Sequence, residues 1–156
     1  MPAATILIPV DGSEASSAAL HAVLPFARAT GASCIVMAVA EPKLDGRFEQ
    51  FAGAEHTSIA EVEESYLQQK ADWLTSQGVD ATAHLEATPG APIADAIADF
   101  ATKNNVDWIA MATHGRSGFG RAVFGSVFQA VLRRSSIPLI AFPESSLMAV
   151  ETAEDA

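Results

Sequence analysis

The sequence predicts a single-domain α/β fold, a doubly wound sheet of five parallel strands in the order 3-2-1-4-5 with helices on both faces. Three observations carry this expectation. Five aliphatic runs bounded by turn residues recur along the chain, segments with helical spacing alternate with them, and three of the runs are nearly continuous in apolar residues. Strands without inside/outside alternation are strands covered on both faces, and alternation of strand with helix implies right-handed crossovers in a parallel sheet.

The first strand is expected at Thr5 to Val10. A helix follows, with Ser13 as its cap, Glu14 in its first turn, and Ala15, Ala18, Ala19, Ala22, Val23, Phe26 and Ala27 on one apolar face until Gly31. The second strand is Ser33 to Ala40. After it comes an irregular stretch from Glu41 to His56, long for a connection; lids and surface insertions both take this form. Ile59, Val62, Tyr66, Lys70, Trp73 and Leu74 then mark a second helix that ends before Gly78, and Ala81 to Ala87 is the third strand. Pro92, placed where a missing N–H costs nothing, opens a third helix through Ile93, Ala94, Ile97, Ala98 and Ala101 to the Lys103-Asn104-Asn105 end. Asp107 to Thr113, a helix over Ser126 to Arg134, and a strand at Ile137 to Phe142 complete the series. One domain over residues 1–143 and an acidic tail over 144–156 are expected, with no internal repeat.

A chain of 156 residues, 49% hydrophobic, is long enough to build its core without disulfides or structural metal. Its one cysteine, Cys34, lies in an apolar run and reads as a small buried hydrophobe, in keeping with a reducing compartment. No apolar stretch approaches the roughly 20 residues of a spanning helix, and the opening Met1 to Pro9 lacks a basic region and a long apolar core, so a cytoplasmic location and no membrane are expected. The formal net charge of -10 argues against a broad nucleic-acid surface. The charge is unevenly spread. No acidic residue lies between Asp107 and Glu144, while Arg116, Arg121, Arg133 and Arg134 do, so 108–143 carries +4 and the remainder, with 5 basic and 19 acidic residues, carries -14. An anion would be drawn to that segment.

In an open parallel sheet, ligands bind beyond the carboxyl ends of the strands where the strand order reverses. Two turns should meet there: Pro9-Val10-Asp11-Gly12-Ser13 after the first strand, and Met111-Ala112-Thr113-His114-Gly115 after the fourth. The second continues through Gly118, Gly120 and Gly125 to a helix start, where the N–H groups of Gly125, Ser126 and Val127 would point along the positive end of the helix dipole. That is phosphate-binding chemistry, although four glycines in eleven residues also serve as turn punctuation. It is neither a Walker A loop nor a dinucleotide fingerprint, since no Gly-x-x-x-x-Gly-Lys-Ser/Thr occurs and no Gly-x-Gly-x-x-Gly follows the first strand.

Here the sequence resembles the universal stress protein family, whose nucleotide-binding members carry Gly-x-x-Gly, nine residues, then Gly-Ser/Thr after the fourth strand. The corresponding stretch reads Ala112-Thr113-His114-Gly115, nine residues from Arg116 to Phe124, then Gly125-Ser126. The likeness runs from Ile8-Pro9-Val10-Asp11-Gly12-Ser13 to Ser136-Ile137-Pro138-Leu139-Ile140. One departure is Ala112, which replaces the first glycine and adds a methyl where ribose or phosphate would pass. The resemblance implies a nucleotide site for ATP, with or without magnesium, that includes Pro9, Val10, Met111 and His114; in it Asp11 meets the ribose or a phosphate-bound metal, the backbone at Val39 borders the adenine, Ala112 lies beside the ribose, and Gly115, Gly125, Ser126 and Val127 hold phosphate, while orienting the turn is the plainer role for His114. Arg116 and Arg121 are secondary candidates for phosphate. It also implies a homodimer joined through the last strand, 137–142.

The other polar residues suggest less. Asp11 before Gly-Ser also reads as an ordinary turn and helix-start residue. His21, His56 and His84 have no metal-ligand spacing, and Trp73 and Trp108 read as core. Ser117 beside His114 lacks both a Gly-x-Ser-x-Gly elbow and a nearby acid. The expected function is therefore ATP binding by a homodimeric stress-response or regulatory protein, with at most slow hydrolysis or autophosphorylation. The alternative is a dimeric interaction protein of the same fold that binds no nucleotide, favoured by Ala112 and by Phe119, Phe124 and Phe128.

Overall fold

A computed structural model describes residues 2–40, 59–114 and 124–143. The chain forms β1 (Thr5–Pro9), α1 (Glu14–Thr30), β2 (Ser33–Val39), α2 (Ile59–Ser76), β3 (Ala81–Glu86), α3 (Ile93–Lys103), β4 (Trp108–Ala112), α4 (Ser126–Arg134) and β5 (Leu139–Phe142). All four strand pairings are parallel, and the order across the sheet is β3-β2-β1-β4-β5. The fold class expected from the sequence is the one found. The expected Glu41–His56 loop, the glycine loop from Gly115 to Val123 and the 144–156 tail lie outside the described residues.

Burial explains the run patterns. β1, β2 and β4 occupy the centre of the sheet, and Ile6, Leu7, Ile8, Val36, Met37, Ile109 and Ala110 are each fully buried. Side chains of alternate parity feed two cores. One unites Ile6, Ile8 and Val36 with Leu20 and Val23 of α1 and Tyr66, Leu67, Ala71 and Leu74 of α2. The other unites Leu7, Met37, Ile109 and Met111 with Ile97 and Ala101 of α3 and Phe128 and Val131 of α4. Helices α1 and α2 thus cover one face, and α3 and α4 the other.

Helix ends follow their sequence signals, with differences at three places. Ser13 caps α1 by accepting from the Ser16 N–H at 3.2 Å, and Gly31 closes it in the left-handed conformation at φ 66°, its N–H turned back on Ala27 and Arg28. Pro92 is the residue before α3 rather than its first helical residue; its carbonyl accepts from Asp95 and Ala96, so its missing N–H is as harmless there. Phe26 does not join the buried stripe of α1. It is 36% exposed and meets Trp108 edge-on at 5.3 Å, while Leu20 fills the core in its place. The last strand begins at Leu139, two residues later than expected. The Ser135 hydroxyl takes both backbone groups of Ile137, accepting from its N–H at 2.9 Å and donating to its carbonyl at 3.1 Å, which removes that residue from the ladder.

Candidate functional site

The carboxyl ends of β2, β1 and β4 open into a cavity of about 230 Å³ under the starts of α3 and α4. Three strands supply its floor. Met37 pairs with Pro9 across β2 and β1, and two residues beyond the Leu7–Ile109 pair the same register sets Pro9 beside Met111 of β4. Ile93 and Ile97, one turn apart on α3, and Phe128 of α4 close the opposite wall. Among the described residues, the polar side chains in the lining are those of Asp11, Ser16, His114 and Ser126. Among the described residues Asp11 is the one carboxylate in the lining.

The turn after β1 is held by its own side chains. Asp11 Oδ1 accepts from the Ser13 N–H at 2.9 Å, an Asx turn, and the Ser16 hydroxyl donates to the Ser13 carbonyl at 3.0 Å while accepting from the Asp11 N–H at 3.3 Å. Tyr66 of α2 packs against this turn from behind, 1% exposed. Burial pushes its phenol above the ordinary range, the neighbouring Ser17 and Ser16 hydroxyls oppose that, and the charge of Asp11 adds to it.

The approach to α4 is built differently. Gly125 occupies the position before the helix at φ -57° and ψ 149°, and no side chain caps the helix. The Gly125 N–H is not available to a ligand, because it donates to the Thr113 carbonyl at 2.7 Å. This corrects the expectation of three open amides, and the reason is mechanical: the bond clips the start of α4 to the end of β4. Among the described residues no acceptor meets the N–H of Ser126 or Val127. The first N–H groups of a helix have no partner within it, so these two amides lie at its positive end beside the cavity. Thr113, buried, hydrogen-bonds His114 Nδ1 at 3.1 Å, and Nε2 of that ring is buried and meets no partner among the described residues. Arg134 and Arg133 do not face the cavity. Arg134 pairs with Asp95 at 2.5 Å, and Arg133 bonds Gln129 at the far end of α4.

Of the residues singled out in the sequence, Pro9, Val10, Asp11, Val39, Met111, Ala112, His114, Gly125, Ser126 and Val127 all line this one cavity. Gly115 and Arg116 lie outside the described residues. The sequence reading missed Ser16, Met37, Ala38, Ile93, Ile97 and Phe128. Three of them carried a signal: Met37 lies two residues before Val39 and so on its face of β2, and Ile93 and Ile97 share a helix face. Two of the other histidines serve elsewhere, and His56 lies outside the described residues. His21 meets Trp73 in a tilted ring contact at 4.1 Å, and His84 bonds Glu86 at 2.8 Å over the Phe100 ring. Among the described residues no three His, Cys, Asp or Glu side chains are grouped to hold a metal ion.

Comparison with known proteins agrees with this architecture. The model of the universal stress protein family matches residues 3–143. The chain belongs to that family. Solved structures of the same fold include a hypothetical protein that served as a structural-genomics test case for assigning biochemical function, at 22% identity and a TM-score of 0.72 over 92% of this chain and 98% of that one. They include a universal stress protein from Archaeoglobus fulgidus in complex with dAMP, at 22% identity and 0.65 over 90% and 98%. A universal stress protein in complex with cAMP is likewise 22% identical, with a TM-score of 0.63 over 92% and 98%. No curated protein matches the chain. No helix among the described residues is long and apolar enough to cross a membrane.

Proposed function

We propose that this protein binds ATP in the cavity between β1, β4 and α4, as a homodimeric stress-response or regulatory protein of the cytoplasm. The observation that carries the reading is the convergence of an apolar slot, a single carboxylate and two helix-start amides on one opening. The flat base would rest on the Met37-Pro9-Met111 floor against Val39, the ribose beside Asp11 and Ala112, and the phosphates at the Ser126 and Val127 amides with the Ser126 hydroxyl. His114 Nε2 is the remaining polar group that a bound ligand would satisfy. The dAMP and cAMP complexes of related structures support a nucleotide in this fold.

The residues fit magnesium only as a passenger of the phosphates. Asp11 is the one acidic group in the described lining and already holds the Ser13 N–H, so the ion would be held chiefly by phosphate and water, as magnesium usually is. Phosphoryl transfer needs a positioned nucleophile as well as charge neutralisation. Asp11 and His114 are the titratable groups of the described lining, which accords with at most slow hydrolysis or autophosphorylation. The dimer is supported by β5, which lies at the sheet edge with the apolar sequence Leu-Ile-Ala-Phe.

Calorimetric titration with ATP and magnesium tests the reading. Binding is expected in the micromolar range, about -7 to -8 kcal/mol. It should weaken by about 2 kcal/mol or more in Gly125→Asp, whose carboxylate would cap the helix through the Val127 or Phe128 N–H and repel the phosphates. An unchanged affinity in that variant would remove the phosphate assignment, and a monomer by light scattering would remove the dimer.

A further inference from the structure

We propose that Pro9 is a positioning residue of the cavity, a wedge without an N–H that keeps β1 and β4 from lacing together where the nucleoside sits. The inference rests on the reading of this cavity as a nucleotide site, and it deepens that reading by naming what holds the site open. Proline is expected on edge strands or at bulges, because it cannot donate to a ladder. Pro9 instead ends β1, the middle strand of five, and lines the cavity. A local rule broken in the centre of a sheet is expected at a functional site.

The hydrogen bonds show which neighbour loses its donor. Successive residues of a strand direct their N–H and C=O groups to opposite neighbours. In β1 the even positions face β2: the Ala4 carbonyl accepts from the Ser33 N–H at 2.9 Å, and the Val10 N–H donates to the Met37 carbonyl at 2.8 Å. The odd positions face β4, as the Thr5 carbonyl does in accepting from the Asp107 N–H at 2.9 Å. Pro9 is odd, so the donor it lacks is one directed at β4, and the register of Ile6 with Trp108 and Leu7 with Ile109 makes its acceptor the Ala110 carbonyl. The pairing follows suit. β1 stays paired with β2 as far as Pro9 and Met37, β2 with β3 as far as Val39 and Glu86, and β4 with β5 as far as Ala112 and Phe142. β1 and β4 pair no further than Leu7 and Ile109. That early stop falls where the strand order reverses, at the cavity. Where the N–H would stand the ring carries Cδ, and a carbon comes no closer to a carbonyl oxygen than about 3.3 Å, against about 2.9 Å for an N–H nitrogen. Asp11, which follows β1, and Ala112 and His114, at the end of β4, are thereby left on two separate lips of the cavity. An N–H restored at position 9 would lace those lips together, and a nucleoside would have to break that bond to enter.

The test gives position 9 an N–H in the full chain. In Pro9→Ala and Pro9→Val, a scalar coupling through the hydrogen bond should appear between the 15N of position 9 and the carbonyl 13C of Ala110. Affinities for ATP and AMP, titrated by calorimetry, should fall together by about five- to tenfold, the contribution of one hydrogen bond that the ligand must break. The fall is common to both ligands because the gap seats the nucleoside and not the polyphosphate. Valine restores apolar bulk at the cavity wall, so an affinity recovered in Pro9→Val but not in Pro9→Ala would assign the effect to the lost ring and overturn the proposal. So would a coupling with affinity unchanged, a fall without the coupling, or a fall confined to ATP. Failure of both variants to fold, by circular dichroism, would show the proline to be needed by the sheet itself and would overturn it as well. An absence of ATP binding by the unaltered chain would instead remove the reading of the cavity, and this inference with it.

Discussion

Two strand-to-helix turns face the same cavity and treat their helix ends in opposite ways. After β1, Asp11, Ser13 and Ser16 form a closed set of hydrogen bonds, so α1 starts already satisfied by its own side chains. Before α4, a glycine stands where a capping side chain would, and the Ser126 and Val127 amides meet no acceptor among the described residues. The backbone does not demand glycine there. At φ -57° and ψ 149° Gly125 sits where serine or aspartate would be accepted and would stabilise the helix. A helix end left without its own cap, beside an apolar slot, is open to an outside anion. On the proposed reading the turn after β1 is the frame and the start of α4 is the receptor.

Substitutions that exchange the two arrangements test that contrast. The largest expected effect is on ligand affinity in Gly125→Asp: an internal carboxylate at the amides should weaken ATP by about 2 kcal/mol or more, roughly thirtyfold, by competition and repulsion. Ser13→Ala does the reverse. It should cost about 1 kcal/mol of stability in chemical denaturation and leave ATP affinity within a factor of about three, because it unframes α1 without touching the receptor. A matching loss of affinity would show the turns to be one unit. Gly125→Asp should also gain about 0.5 kcal/mol of stability, so a variant that binds less would melt later. A loss of stability there would mean that glycine is needed for the backbone after all. The smallest effect belongs to the core. Burial, with a lesser contribution from Asp80, pushes the Cys34 thiol up to about 12. The folded protein should therefore resist iodoacetamide at mildly alkaline pH, and rapid alkylation would contradict the burial.

How much of this was legible in the sequence depended on the kind of signal. The strand and helix spans followed from aliphatic runs and from Ser13, Gly31 and Pro92 as punctuation, and the meeting of the two turns from the switch-point rule once strands one and four are taken as neighbours; these signals are local or topological. The hydrogen bond from Gly125 to Thr113 was not legible, because it joins residues on either side of the glycine loop through the path of the backbone. Phe26 was misplaced because periodicity alone cannot tell which edge of a helical stripe meets the sheet and which meets Trp108 at the rim. Met37, Ile97 and Phe128 read as ordinary core, which they are; their second role as cavity wall comes from three elements stopping short of one another at the same sheet edge.

The most direct test of the central claim follows individual amides by 15N–1H NMR as magnesium ATP is added. The account predicts that the Ser126 and Val127 N–H resonances move downfield with saturation while those of Ser13 and Ser16, held by their own turn, stay nearly fixed. Saturable binding that leaves Ser126 and Val127 unmoved, or that shifts the β1–α1 turn instead, would contradict it.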